Sequence, residues 1–433
     1  MKLSLITFFL LKIVLILNNR VLSTPIISAK RAPLIGSHGH GKWITNHAMS
    51  RLGLLNSSMT MTLTLVTSSL NNTQLVASYY ESIQGLNVFD QTDMHLKLSG
   101  SVELFSQVFN TSFSEYACDS KNKQKTCFAS NTEVFIPASL QPFILGIIGL
   151  QKGIITYTTH KVKSDANISP KASYSYFLGN QAAQVYGFPS SDGSGVKVGI
   201  ITFGGYFRQS DLDNYFSSNN LGAAPTINIV YVDGASMDFV DPNDDSGENY
   251  LDVEIIAAVV PKATITFFFA PNTDQGFYDV IDTSLQQSDV VSLSWGSSEQ
   301  YNSAYWTSIQ ALFAKYSNVP FFVASGDLGS KDNGYSTSVD FPSSCPNAIG
   351  VGGTRLNFAS GKISSVTSYM SETAWSGSGG GYSTVYSRPA YQSGTNAKRG
   401  VPDVACNADP YTGYSVCYAG NCVVYGGKSL KFK

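Results

Sequence analysis

The sequence predicts an α/β protein built on a doubly wound parallel sheet, preceded by a smaller α+β domain. Three observations predict this. Near-continuous apolar runs of strand length recur at Val196–Phe203, Ala263–Ala270, Val290–Trp295 and Pro320–Ala324, as strands buried on both faces require. Between them lie helical patterns at Gly247–Val260, Gly276–Gln287 and Ala304–Tyr316, and alternating strands and helices build right-handed βαβ units. Finally, 433 residues are enough for two domains, and the pattern changes near residue 165.

At the amino end, Met1-Lys2 precedes an apolar run from Leu3 to Leu17, and Val21-Leu22-Ser23 offers a cleavage point. Residues 1–23 therefore read as a signal peptide. Lys12 interrupts the run, which is short of the roughly 20 residues a spanning helix needs, so no membrane association is expected after its removal. Residues 24–165 form the α+β domain. Met59–Val66 alternates polar and apolar residues as a half-buried strand does, and Ala138–Leu150 reads as an apolar helix following Thr132–Pro137. Lys161–Lys171 is polar and reads as an exposed linker, where proteases cut. Residues 166–433 make up the sheet domain.

Composition narrows the partners. Charged residues make up 13% of the chain, with a net charge of −2. That is about half the usual charged fraction and leaves no basic stripe for nucleic acid. N-x-S/T triplets stand at Asn56, Asn71, Asn110 and Asn167, and the cysteines number six. Proximity suggests Cys118 with Cys127 and Cys417 with Cys422, and an oxidising compartment favours pairing over free buried thiols. No cysteine spacing matches a zinc site. The secretory pathway, ending outside the cell or in a lysosome, is the expected location.

Ligands of such sheets gather beyond the carboxyl ends of the strands, here Ser294-Trp295-Gly296 and Ser325-Gly326-Asp327. All five histidines (His38, His40, His47, His95 and His160) precede the sheet domain, so it cannot build a Ser-His-Asp triad unaided. If the domain is a hydrolase its general base must be something else, and carboxylates are the obvious candidates. Glu248 and Asp252, four apart after a candidate N-cap at Ser246, share one helix face, with Cβ atoms roughly 5–6 Å apart. Two acids so close hold one proton to higher pH and can act as a base in acid. The spacing equally describes an acidic first turn favoured by the helix dipole. Asp327 reads either as a protonated oxyanion donor or as a turn former.

The segments GVKVGIITFGGY, GENYLDVE, FFFAPNTDQGF, VVSLSWGSSE, VASGDLGS, VDFPSSCPNAIGVGGT, SGGGYS and RGVPDVACNADPYTGY resemble, in family order, the sedolisin family of serine-carboxyl peptidases, and most of all its kumamolisin-like members. The first domain is similar to the activation prosegment, best at VFIPASLQPFILGIIGLQ. The resemblance implies a subtilisin-like sheet and an acid-acting serine peptidase, either endopeptidase or tripeptidyl-peptidase, made as a proenzyme. Its partners would be peptide or protein substrates and its own prosegment. By the same resemblance Ser429 is the nucleophile, Glu248 the general base and Asp252 its orienting partner. Asp327 is the oxyanion donor, Trp295 lines the cleft, and Gly296 admits the substrate backbone. Thr202 stands where kumamolisin-like enzymes carry Glu, which implies altered tuning of the carboxylates.

The nucleophile motif reads Gly426-Gly427-Lys428-Ser429-Leu430, with Lys428 in place of Thr, and the sequence ends at Lys433. In the family the following region closes the sheet and supplies calcium ligands, so the resemblance implies a sheet incomplete at the C-terminus and no assignable metal. The chain as it stands is expected to be inactive. The alternative is a non-catalytic homologue that binds peptides or inhibits a relative.

Overall fold

The computed structural model describes residues 51–117, 126–131, 134–137, 139–152, 176–240, 245–299, 303–332, 337–358 and 369–426. The signal segment 1–23, the linker Lys161–Lys171, Cys118, Asn167 and Ser429 lie outside them.

The N-terminal domain runs β1 (Arg51–Leu54), β2 (Thr60–Thr67), α1 (Leu70–Glu81), β3 (Asn87–Gln91), β4 (His95–Ser101), α2 (Val102–Val108), β5 (Phe113–Ala117), β6 (Thr126–Ser130), β7 (Ile144–Ile148) and β8 (Gln151–Lys152). These form two four-stranded sheets, β3-β4-β2-β7 and β1-β5-β6-β8, antiparallel throughout. The alternation at Met59–Val66 becomes the central strand β2. The helix expected over Ala138–Leu150 does not form: Ile144–Ile148 is strand β7, paired with β2. Its burial alternates, and β-branched isoleucines beside glycines favour a pleated, half-buried surface over a helix.

The sheet domain continues with α3 (Gly179–Val185), β9 (Lys197–Thr202), α4 (Gln209–Ser218), β10 (Asn228–Tyr231), α5 (Ser246–Val259), β11 (Thr264–Phe269), α6 (Asp274–Gln287), β12 (Val290–Leu293), β13 (Ser297–Ser298), α7 (Ser303–Lys315), β14 (Phe321–Ala324), β15 (Asp340–Phe341), β16 (Ile349–Phe358), β17 (Tyr369–Ala374), β18 (Gly381–Ser387), β19 (Lys398–Val401), β20 (Val404–Asn407), β21 (Tyr414–Tyr418) and β22 (Asn421–Tyr425). Its main sheet has the order β10-β11-β9-β12-β14-β16-β17, with β20 also on β16. All these pairings are parallel except that of β17.

Neighbouring residues of one strand enter different cores, as the pleat dictates. Val198 and Ile200 of β9 and Phe267 of β11 pack with α4 and α5. Ile201 and Phe268 pack with α6 and α7. Val66 and Ile148 of the N-terminal domain join that second core, so the domain's β3-β4-β2-β7 sheet lies against α6 and α7.

The Cys417–Cys422 disulfide forms as proximity suggested. Cys127 is also disulfide-bonded, and its pairing with Cys118 falls outside the described residues. Cys345 and Cys406 depart from expectation, since both are buried and neither is in a disulfide. They belong to the two cores on opposite faces of the sheet, which leaves them no route to each other.

Candidate active site

The carboxylate pair stands at the start of α5. Ser246 does not cap this helix as expected. The cap position is Asp245, whose side chain makes no capping bond to the helix, and the Ser246 hydroxyl instead accepts from the Tyr206 amide at 2.9 Å. This brings the helix start onto the loop after β9, where Gly205 has φ +67° and a Cβ would approach the Ser246 nitrogen to 2.3 Å. Only glycine suits that contact. Glu248 and Asp252 are both 2% exposed. The Ser294 hydroxyl, just past the end of β12, donates to Asp252 Oδ1 at 3.1 Å. Burial and the charge of Glu248 push the Asp252 carboxyl well above the usual carboxylate range, against the pull of Ser294. The arrangement favours the protonated form of Asp252, beside Glu248, at the carboxyl end of the sheet.

Asp327 follows the neighbouring strand. Leu293 of β12 pairs with Val323 of β14, so the segments Ser294–Gly296 and Ser325–Asp327 leave the sheet side by side. Gly326 takes φ +102°. The Ser325 hydroxyl donates to the Gly379 carbonyl at 2.8 Å, and the Gly379 amide donates to the Gly326 carbonyl at 2.7 Å. This turn, tied to the glycine-rich segment, holds Asp327 buried at 1% exposure. An acid buried there, in its protonated form, can donate a hydrogen bond to developing negative charge.

Trp295 is 3% exposed and meets the Phe203 ring edge-on at 5.5 Å. Its visible role is packing beneath the site. Gly296 leads into β13, which pairs with β15. Just beyond, Glu299 accepts from the hydroxyls of Ser383 at 2.8 Å and Thr384 at 3.0 Å, joining this segment to β18. Thr202 is buried, and its hydroxyl donates to Asn249 Oδ1 at 2.6 Å. A neutral pair thus stands beside Glu248. The structure therefore brings Glu248, Asp252 and the Asp327 turn to one end of the sheet. Ser429 lies three residues beyond Gly426, the last described.

Sequence reasoning missed Ser294 as the partner of Asp252, although it had marked the segment as a strand end. It also missed a second group of buried acids, on α6. There Lys97 of β4 reaches Asp279 at 2.9 Å, Thr64 of β2 donates to Gln275 at 2.8 Å, and Gln151 of β8 bonds Asp274. Burial pushes Asp274 up to about 7, with Gln151 opposing. Burial and Asp233 push Asp279 up to about 7 against the pull of Lys97. Burial works against the Lys97 charge, yet Asp279 with Asp233 and Asp90 holds its pKa above the ordinary lysine value. A periphery of more exposed pairs, such as Lys315 with Asp93 at 2.6 Å, surrounds this contact. No spacing in the sequence could announce contacts made across domains.

Among the described residues, no cluster of His, Cys, Asp or Glu is arranged to hold a metal ion. No helix among them is long and apolar enough to cross a membrane.

Comparison with known proteins agrees with this geometry. Residues 53–152 match the pro-kumamolisin activation domain, and residues 234–427 match the subtilase family. The chain is 33% identical over 358 residues to kumamolisin of Bacillus sp. strain MN-32, an alignment covering 77% of this chain and 64% of that protein. Sedolisin of Pseudomonas sp. strain 101 is 26% identical, over 77% of this chain and 61% of its own. A tripeptidyl-peptidase of Aspergillus fumigatus, sed5, is 26% identical over 68% and 55%. The chain thus spans somewhat less than two thirds of the length of these relatives. Among solved structures, Pseudomonas sedolisin complexed with two molecules of pseudo-iodotyrostatin superposes with a TM-score of 0.51 at 27% identity, covering 59% of this chain and 77% of that one.

Proposed function

We propose, from the premise that this chain belongs to the sedolisin–kumamolisin family of serine-carboxyl peptidases and carries its activation domain, that it is the proenzyme of an acid-acting peptidase. The observation that carries the reading is the buried Glu248–Asp252 pair under Ser294, beside the Asp327 turn, in a domain without histidine. An imidazole base would be protonated in acid, whereas an acid pair that shares one proton keeps a basic oxygen there.

In the proposed reaction the Ser429 hydroxyl attacks a peptide carbonyl while Glu248 accepts its proton, with Asp252 sharing the charge. Asp327 donates to the tetrahedral oxyanion. The proton then passes to the leaving amine, and water hydrolyses the acyl-enzyme by the same steps. The residues 24–165 act as the prosegment, held on α6 by the contacts of Lys97, Thr64 and Gln151, and cleavage within Lys161–Lys171 separates them. Entry into the secretory pathway by residues 1–23, glycosylation at Asn56, Asn71, Asn110 and Asn167, and delivery outside the cell or to a lysosome belong to the same proposal.

The test is peptide hydrolysis by the purified chain after acid incubation, alongside Glu248→Gln and Ser429→Ala. In place of the inactivity that the sequence alone led us to expect, hydrolysis confined to acid and lost in both variants is the expected result. Cleavage that persists in either variant would sink the assignment.

A further inference from the structure

The helix that carries the acid pair bears a third carboxylate with no assigned role. Glu254 lies six residues after Glu248, which at 3.6 residues per turn turns it away from both Glu248 and Asp252. It is fully buried, and its two oxygens accept from the Cys417 amide at 3.0 and 3.2 Å. Cys417 belongs to the β21–β22 hairpin, which the Cys417–Cys422 disulfide closes.

The hairpin explains why that amide needs an outside acceptor. Tyr418 pairs with Asn421 across a two-residue turn, so Cys417 and Cys422 form the next pair of the ladder. In an antiparallel ladder hydrogen-bonded and non-bonded pairs alternate, and the amide of a non-bonded pair points away from its partner strand. Buried there, it must find an acceptor elsewhere, and Glu254 supplies it. Burial pushes the Glu254 carboxyl well above the usual carboxylate range, and the Cys417 amide opposes this only in part. In acid the side chain is therefore neutral, and a glutamine would keep its acceptor.

The same hairpin meets α5 at two more points. Tyr418 stacks on Tyr250 with ring centroids 5.0 Å apart. The Tyr425 hydroxyl lies against Gly247, where a Cβ would come within 2.1 Å of it, one residue before Glu248. Tyr425 is followed at once by Gly426, the start of the segment that contains Ser429.

We propose that Glu254 is a positioning residue: by holding the disulfide-closed hairpin onto α5, it fixes where the chain leaving Tyr425 stands relative to Glu248. This rests on the serine-carboxyl reading above. The full chain is compared with Glu254→Gln and Glu254→Ala by steady-state kinetics on a peptide in acid and by amide exchange across Tyr414–Tyr425. If Glu254→Ala does not fold, Glu254→Met, which fills the volume without an equivalent acceptor, replaces it. The expected result is a kcat lowered about 10- to 100-fold in the alanine or methionine variant, as small misplacement of a nucleophile produces. KM should stay within about twofold, since uniform substrate binding is untouched, and the hairpin amides should lose protection. Glu254→Gln should keep the parent's kcat, pH profile and protection. Parent-like kcat and exchange in the alanine or methionine variant would overturn the proposal, as would a shifted pH profile in Glu254→Gln, which would make Glu254 a titrating member of the base. A parent chain that cleaves nothing would defeat the serine-carboxyl reading alone. The exchange data would then still decide whether Glu254 holds the hairpin: unchanged protection without it refutes the role.

Discussion

Two groups of buried acids stand on successive helices on opposite faces of the main sheet, and their surroundings differ in kind. Glu248 and Asp252 on α5 are enclosed with Ser294 and the loop after β9, all parts of their own domain. Asp274 and Asp279 on α6 are contacted by Gln151 and Lys97 of the N-terminal domain. Both groups hold protons to unusually high pH. For the first group that property is set by residues of its own domain. For the second, the N-terminal domain supplies part of the surroundings, through Lys97 and Gln151. A raised pKa therefore accompanies the proposed catalytic pair at one place and a contact between domains at the other, and only the identity of the neighbouring atoms separates them.

The contrast can be broken most forcefully at Glu248. Glu248→Gln keeps the shape and removes the base, and should lower kcat by about 100- to 10,000-fold without altering the contact of the N-terminal domain with α6. Asp327→Ala removes the oxyanion donor and should cost about 100- to 1,000-fold in kcat. Both are read by peptide hydrolysis in acid. Comparable activity in either variant would strip the first group of its catalytic meaning.

The second group should respond in docking. Lys97→Met leaves Asp279 buried without its cation, and truncating one partner of a buried charge pair weakens a contact by about 2–5 kcal/mol. Measured at neutral pH, amide exchange in α6 and α7 of the uncleaved chain should speed accordingly, while the Glu248 helix is unaffected. Unchanged exchange would show that the pair contributes nothing to docking.

The smallest effect concerns pH, and it reverses the simple idea that acid loosens the prosegment by neutralising its charge pairs. Burial holds Asp274 up to about 7, with Gln151 opposing, and it should fall towards the ordinary aspartate value if release of the N-terminal domain exposes it. A group whose bound pKa is raised adds affinity in full below its released pKa and loses it as pH rises through the bound value. Acid thus tightens this contact, by at most about tenfold per pH unit for one proton. Between neutral pH and the ordinary carboxylate range, exchange in α6, corrected for its intrinsic pH dependence, should slow as pH falls. Asp274→Asn should flatten that slope. On this account it is cleavage of the linker, and not acid alone, that frees the enzyme. A prosegment that dissociates intact on acidification would refute it.

Much of the molecule was legible in the sequence because its signals are local. The apolar runs at β9, β11, β12 and β14 and the three helices between them depend on burial over a few residues. The i,i+4 spacing of Glu248 and Asp252 likewise needs only helical periodicity. Ala138–Leu150 misled for the opposite reason. A short apolar run suits helix or strand equally, and its pairing with β2, remote in the chain, made Ile144–Ile148 a strand. Cysteine parity misled similarly, because Cys345 and Cys406 are kept apart by the sheet itself.

By itself the sequence determined the order of four central strands and the three helices among them, the absence of histidine from the sheet domain, which turned attention to carboxylates, and the closeness of Glu248 to Asp252. The tertiary structure alone decided which partners those acids meet: Ser294 under Asp252, Cys417 on Glu254, Lys97 and Gln151 over α6. The reason is physical. Periodicity is a property of neighbouring residues, whereas the protonation of a buried acid depends on atoms brought to it across the fold, and no spacing along the chain records which atoms those are.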